Sequence, residues 1–206
     1  DYDWNSFSDL PLNEKLEALF ELCWGLDLCL HAMSSTIREQ VQSTLEAMSH
    51  AEKENFLSTY IELALALVRD TRERFDREGF EKWTDQIADV VSKETGNPDH
   101  IFRLHYERCL DAWYRLEFRD MGDLLEQWPS DSTSPIWTLR KAALWLVLAE
   151  FEEGWKLLES ALADIRSRLN ERAADLRLLS MESWTMFLFE YRMDSNPRRL
   201  DMKLRG

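Results

Sequence analysis

Apolar side chains recur at three- and four-residue steps along nearly the whole chain, and the residues that interrupt such spacing are scarce: six Gly and five Pro in 206 positions. This is the period of helices that bury one stripe and solvate the other. In segment 12–33, Leu12, Leu16, Leu19, Phe20, Cys23, Trp24 and Leu26 fall on it. No stretch alternates apolar and polar residues between turn signals, so no sheet is expected. The fold class that follows is all-α, with about nine helices joined by short turns as antiparallel hairpins.

Local signals place the boundaries. Ser34 or Ser35 caps a helix with the stripe Ile37, Val41, Leu45 and Met48, and Ser49 caps another that extends to about Arg77. Gly79 is read as the break after it. The next helix, 80–95, stops at Gly96-Asn97-Pro98. Asn97 or Asp99 begins a helix over 101–118 that runs on through 119–128 to Pro129, and PSDSTSP (129–135) is the clearest loop. Three further helices cover 136–151, 152–170 and 177–193.

Charge narrows the possible roles. The 39 Asp and Glu outnumber the 25 Lys and Arg, a formal net charge of −14. Phosphate contacts need a basic field, so nucleic-acid binding is not expected. The one basic cluster, Arg192, Arg198, Arg199, Lys203 and Arg205, reads as a flexible tail over 193–206. Apolar runs such as Ile61–Val68 and Ala142–Ala149 are too short to span a bilayer. Cys23, Cys29 and Cys109 cannot all pair and read as small buried hydrophobes in a reducing, cytoplasmic setting. Nine Trp are read as packing area where helices cross.

The sequence also repeats. Glu117-Phe118 aligns with Glu150-Phe151, and Leu124-Leu125-Glu126 then falls on Leu157-Leu158-Glu159 without a gap. A period of 33–34 residues holding two helices is the length of tetratricopeptide hairpins. A third trace, Gly79-Phe80-Glu81 ahead of Ile87, is offset by 38 residues from Phe118 of the first copy.

Segment 141–162 carries a resemblance to a degenerate tetratricopeptide repeat. Ala142 stands at the family's small helix-A position and Trp145 at an aromatic one. Ala149 takes the place of the Gly that ends helix A, and Phe151 that of the aromatic opening helix B. Gly154 and Ala161 match the small helix-B positions, with Leu158 between them. The Pro after helix B is missing. The resemblance implies an α-solenoid of stacked hairpins whose inner face, lined by helix A, holds a protein or peptide. On this register the inner positions are Arg103, Tyr106, Leu110, Trp113 and Tyr114, then Leu139, Ala143, Leu146 and Val147. That row is apolar enough that coverage by the chain itself is expected over an open stripe.

Chemistry-bearing patterns are thin. His100 and His105 lie five apart, not the four of a zinc-binding helix pair, and Cys23, Cys29 and His31 are spread around a helix axis. GxxxxGK[ST], GxGxxG and GxSxG do not occur. No catalytic residue, metal site or cofactor is expected. The reading is one helical domain, 1–206, with N-terminal helix pairs over 12–94 and tetratricopeptide-like hairpins over 98–192. Its expected role is a non-catalytic protein-interaction module within a longer polypeptide. The alternative is a sensor or regulatory region of a multidomain bacterial signalling or defence protein. A helical enzyme or ligand-binding bundle comes third.

Overall fold

A computed structural model describes residues 4–28, 32–93, 97–130 and 134–194. The proposed basic tail from 195 onward, Cys29, His31 and Gly96 lie outside the described residues. All regular structure among the described residues is helical: α1 (Trp4–Phe7), α2 (Leu12–Leu28), α3 (Ser35–Ala47), α4 (His50–Asn55), α5 (Leu57–Glu73), α6 (Arg77–Lys93), α7 (Asp99–Tyr114), α8 (Phe118–Glu126), α9 (Pro135–Val147), α10 (Phe151–Glu171) and α11 (Leu176–Asp194). The chain divides into two compact units, Asp1–Asp111 and Ala112–Gly206.

The expected caps form. Ser34 accepts from Ile37 N–H, and Ser49 makes a reciprocal capping box with Glu52. Several boundaries differ from expectation. α2 is described over Leu12–Leu28 and residues 32–34 are not helical, so the helix stops short of Met33. The helix after Ser49 is interrupted at Phe56, which leaves α4 as a short segment ahead of α5. Pro135 is not the end of a loop; it is the first residue of α9, where its missing N–H is one the helix does not use.

In the first unit, α5 packs against α2, α3, α4 and α6, and no residue from Thr59 to Arg72 is exposed. α6 shows the opposite pattern, with Phe80, Trp83, Ile87 and Val91 buried on one face and charged residues on the other. The second unit repeats this division. No residue of α9 from Pro135 to Leu146 is exposed, whereas α10 buries only Gly154, Leu158, Ala161 and Ile165. Leu139, Ala142, Leu146, Leu158 and Ala161 form the centre of this core, closed by Trp155, Met181, Trp184, Leu188 and Phe189.

Three turns share one backbone geometry. Phe75, Leu116 and Ala149 have φ of 57°, 62° and 63°, the left-handed region. At each, the left-handed residue donates its N–H to the carbonyl three residues back, and the next residue donates to the carbonyl five back. The pairs are Phe75–Arg72 with Asp76–Thr71, Leu116–Trp113 with Glu117–Ala112, and Ala149–Leu146 with Glu150–Trp145. This is the Schellman termination, usually built on Gly.

The turns also fix a common register. Seven residues before the left-handed position stand Val68, Cys109 and Ala142, all fully buried. Five after it come Phe80, Met121 and Gly154, and nine after it Thr84, Leu125 and Leu158, again all buried. The third sequence trace is therefore corrected: Phe75, not Gly79, ends α5, and Phe80 matches Gly154 rather than Phe151. The spacing from Phe75 to Leu116 is 41 residues against 33 from Leu116 to Ala149.

A left-handed alanine carries about 1 kcal/mol of strain that glycine does not, partly offset by glycine's freer unfolded chain. Ala149→Gly is therefore expected to stabilise the chain by about 0.5 kcal/mol or more. Ala161→Gly, in the middle of α10, is expected to destabilise it by more than about 1 kcal/mol. Urea midpoints of the two variants check the opposite signs.

Candidate functional site

The most structured polar region lies in the first unit, on the charged end of α5. The apolar run from Ile61 to Val68 contains one acid, Glu62, and gives way to Arg69, Asp70, Arg72, Glu73 and Arg74. Asp70 is 5% exposed and takes both Nε and Nη2 of Arg38 from α3, at 2.5 and 3.2 Å, plus Arg74 Nε at 3.0 Å. Arg38 Nη2 also donates to the Met33 carbonyl at 3.1 Å. The hydrogen bond to Asp70 raises the Arg38 pKa further above its ordinary value, against a smaller opposing effect of burial.

Two further links join α5 to α7. Arg72 Nε donates to Glu107 Oε2 at 2.7 Å. Glu62 is paired with Arg103, and the buried His100 Nε2 lies 3.0 Å from Glu62 Oε1. Burial pushes the Glu62 carboxyl up, but the hydrogen bond with His100 and the charge of Arg103 outweigh it and hold it below the ordinary carboxylate value.

A folded value below the unfolded one means that ionised Glu62 stabilises the fold above about pH 4.3, and that this contribution disappears as pH falls through the folded value. Glu62→Gln is expected to be less stable than the parent at neutral pH, with the gap narrowing below about pH 4. Urea titrations across pH check this, and a gap that does not change with pH contradicts it.

Beside these pairs lies a cleft of about 70 Å³. Phe20, Cys23, Trp24 and Leu26 of α2 and Met33 form its apolar wall; Glu62, Arg69, Asp70, Glu73, Arg103 and Glu107 form the charged one. Phe20 and Trp24 stack with ring centroids 6.4 Å apart, and Trp24 is 43% exposed at the mouth. The volume suits one side chain and is well below the several hundred Å³ of a cofactor pocket. A wider hollow of about 310 Å³ among α1 to α4 is lined by Lys15, Ser43, Thr44 and Glu52 without a converging charged cluster.

Burial, then the charge of Asp70, pushes the Cys23 thiol up to about 11. Such a thiol is a poor nucleophile and a poor metal ligand. Peptide mapping after alkylation at pH 8 is expected to show Cys23 labelled roughly 100-fold more slowly than an unperturbed thiol. Among the described residues, no group of three His, Cys, Asp or Glu is placed to hold a metal ion. Nor is any helix among them long and apolar enough to cross a membrane.

No family model, curated protein or solved structure matches this chain.

The residues assigned from the sequence to an inner face differ in burial. Arg103 lines the cleft, paired with Glu62. Tyr106 is half-buried and Leu110 buried. Trp113 is half-buried, 5.6 Å from the Tyr114 ring, and Tyr114 is 41% exposed. Leu139 and Leu146 are buried in the α9/α10 core, with Leu146 against Gly154. Glu62, Asp70 and Glu107 were not singled out by the sequence, and Trp24 was read only as part of a helix stripe. The available signal was Glu62, a lone acid within an apolar run, which needs a partner once it is half-buried.

Proposed function

We propose that this chain is a non-catalytic, tetratricopeptide-like interaction module that binds a protein or peptide. The observation that carries the reading is the threefold recurrence of one helix-A to helix-B turn with small or apolar residues at matching depths before and after it. Hairpins of this type have apolar stripes that one pair cannot cover, and stacking them into a solenoid resolves that.

The cleft on α2 and α5 supports the same reading. It offers an aromatic wall, a row of fixed charges and room for one anchoring side chain, which is how a peptide groove gains specificity. A small-molecule site instead needs a larger enclosed volume. The negative charge of the chain favours a protein partner over nucleic acid.

The test is photo-crosslinking from position 24 in native extract, repeated with Arg103→Glu and with a crosslinker at exposed Arg177 as control. A partner captured from position 24, absent from the control and lost in the folded Arg103→Glu variant, supports the proposal. Identical recovery from all three sinks it. So does reproducible turnover of a small-molecule substrate that Glu62→Gln abolishes.

A further inference from the structure

The charges around the α2/α5 cleft are already matched to one another. Glu62 holds Arg103, and Asp70 holds Arg38 and Arg74. Glu73 accepts from Arg69 at 2.8 Å, and Arg72 joins Glu73 to Glu107 at 3.6 and 2.7 Å. Each carboxylate that lines the cleft therefore has a guanidinium, and each lining guanidinium has a carboxylate. Asp70 is buried, whereas Arg69, Glu73 and Arg103 stand nearer solvent than Glu62 and Glu107.

The rest of the lining is uncharged. Half-buried Phe20, Leu26 and Met33 form one side, and Leu63, Leu65 and Ala66 of α5 continue the apolar surface. Cys23 belongs to it as a neutral thiol, because burial and then the charge of Asp70 push its pKa up to about 11.

A side chain that enters this slot leaves water. If it carries a charge, it meets no unmatched counter-charge among the described lining residues. To pair with an incoming ammonium, a carboxylate must share or release a guanidinium that is itself partly buried, so the newcomer's lost hydration is not offset. An aliphatic side chain meets thioether, thiol and ring carbons instead, and gains by leaving water. The space of about 70 Å³ admits one side chain of leucine or methionine size.

We propose that the cleft takes a leucine or methionine side chain of a peptide partner and discriminates against lysine, arginine and acidic residues at that position. The proposal rests on the cleft being the binding site of the interaction module. The matched ion pairs then act as a selectivity wall, excluding charge through desolvation rather than through repulsion.

The test selects random peptides displayed on phage against the full chain and counter-screens them on two variants whose folding is checked by thermal unfolding. Trp24→Ala removes the aromatic ring at the mouth, and Ala66→Leu fills the slot from α5 with another good helix former. Peptides that bind the parent and are lost in either folded variant are expected to share one leucine or methionine. Replacing that residue by alanine is expected to weaken binding at least about 30-fold, and by lysine or glutamate at least about 100-fold. A different shared residue, or binding kept within about threefold when the anchor becomes lysine, overturns the aliphatic anchor and leaves the module reading standing. Peptides indifferent to both variants, or none that bind at all, overturn both.

Discussion

Replacing Gly154 with valine is expected to destabilise the second unit by about 3 kcal/mol, a large effect for the addition of three carbons. A Cβ at this position would sit 2.7 Å from Leu146 Cδ2, 2.8 Å from its Cγ and 3.3 Å from the Ala142 carbonyl oxygen. The first two contacts are to a side chain, but Leu146 is 2% exposed and enclosed by the α9/α10 core, so it has nowhere to turn. The third is to backbone and yields only if α9 moves away from α10. Glycine in a helix normally loses about 1 kcal/mol to alanine; here that gain is opposed by the clash, and valine's branches deepen it. A size exchange tests the contact. Leu146→Ala alone is expected to cost about 3 kcal/mol as a cavity, and the double variant to cost at least about 1 kcal/mol less than the two singles combined. Strict additivity would show that Gly154 and Leu146 do not share this space. Exchange protection of the α9 and α10 amides locates the loss.

Gly154 was legible as a close-approach position because it falls at a small helix-B position of the tetratricopeptide pattern that segment 141–162 resembles. Gly79 misled for a physical reason. The left-handed turn that ends α5 stands on Phe75, a residue type that rarely adopts it, so the usual Gly signal was absent, and a real Gly four residues later attracted the boundary. Gly79 is instead inside α6, where a Cβ would lie 2.5 Å from Asp76 Oδ2 while Asp76 Oδ1 accepts the Gly79 N–H. Helix existence follows from period, which is local; where a helix stops without Gly or Pro depends on backbone bonds that composition does not encode. The inner-face assignment met a different limit. Register identifies which residues share a helix face, as Leu139 and Leu146 do, whereas burial depends on which helix covers that face. The ion pairs were still harder to read, since Glu62 finds His100 and Arg103 across 38 and 41 residues of sequence.

Removing the guanidinium of Arg38 is expected to cost about 3 kcal/mol, much more than a surface ion pair contributes. Asp70 is buried, and in Arg38→Met it retains only Arg74 Nε, a donor whose own side chain is 42% exposed. The loss is therefore chiefly that of an under-solvated carboxylate rather than of one attraction. That distinction has a measurable sign. If the buried charge is the penalty, removing it too should restore stability, so Arg38→Met combined with Asp70→Leu is expected to recover at least about 2 kcal/mol relative to Arg38→Met alone. A double variant no better than the single would mean that Arg38 acts mainly by bracing the Met33 carbonyl. The same change reaches the cleft, because Met33, Asp70 and Cys23 all line it. Where Cys23 is labelled only from globally opened molecules, 3 kcal/mol of lost stability corresponds to roughly 100-fold faster alkylation. Arg38→Met should produce that acceleration and the double variant should largely cancel it. Faster labelling in both variants, with stability restored in the second, would instead identify a local opening of the wall at Met33.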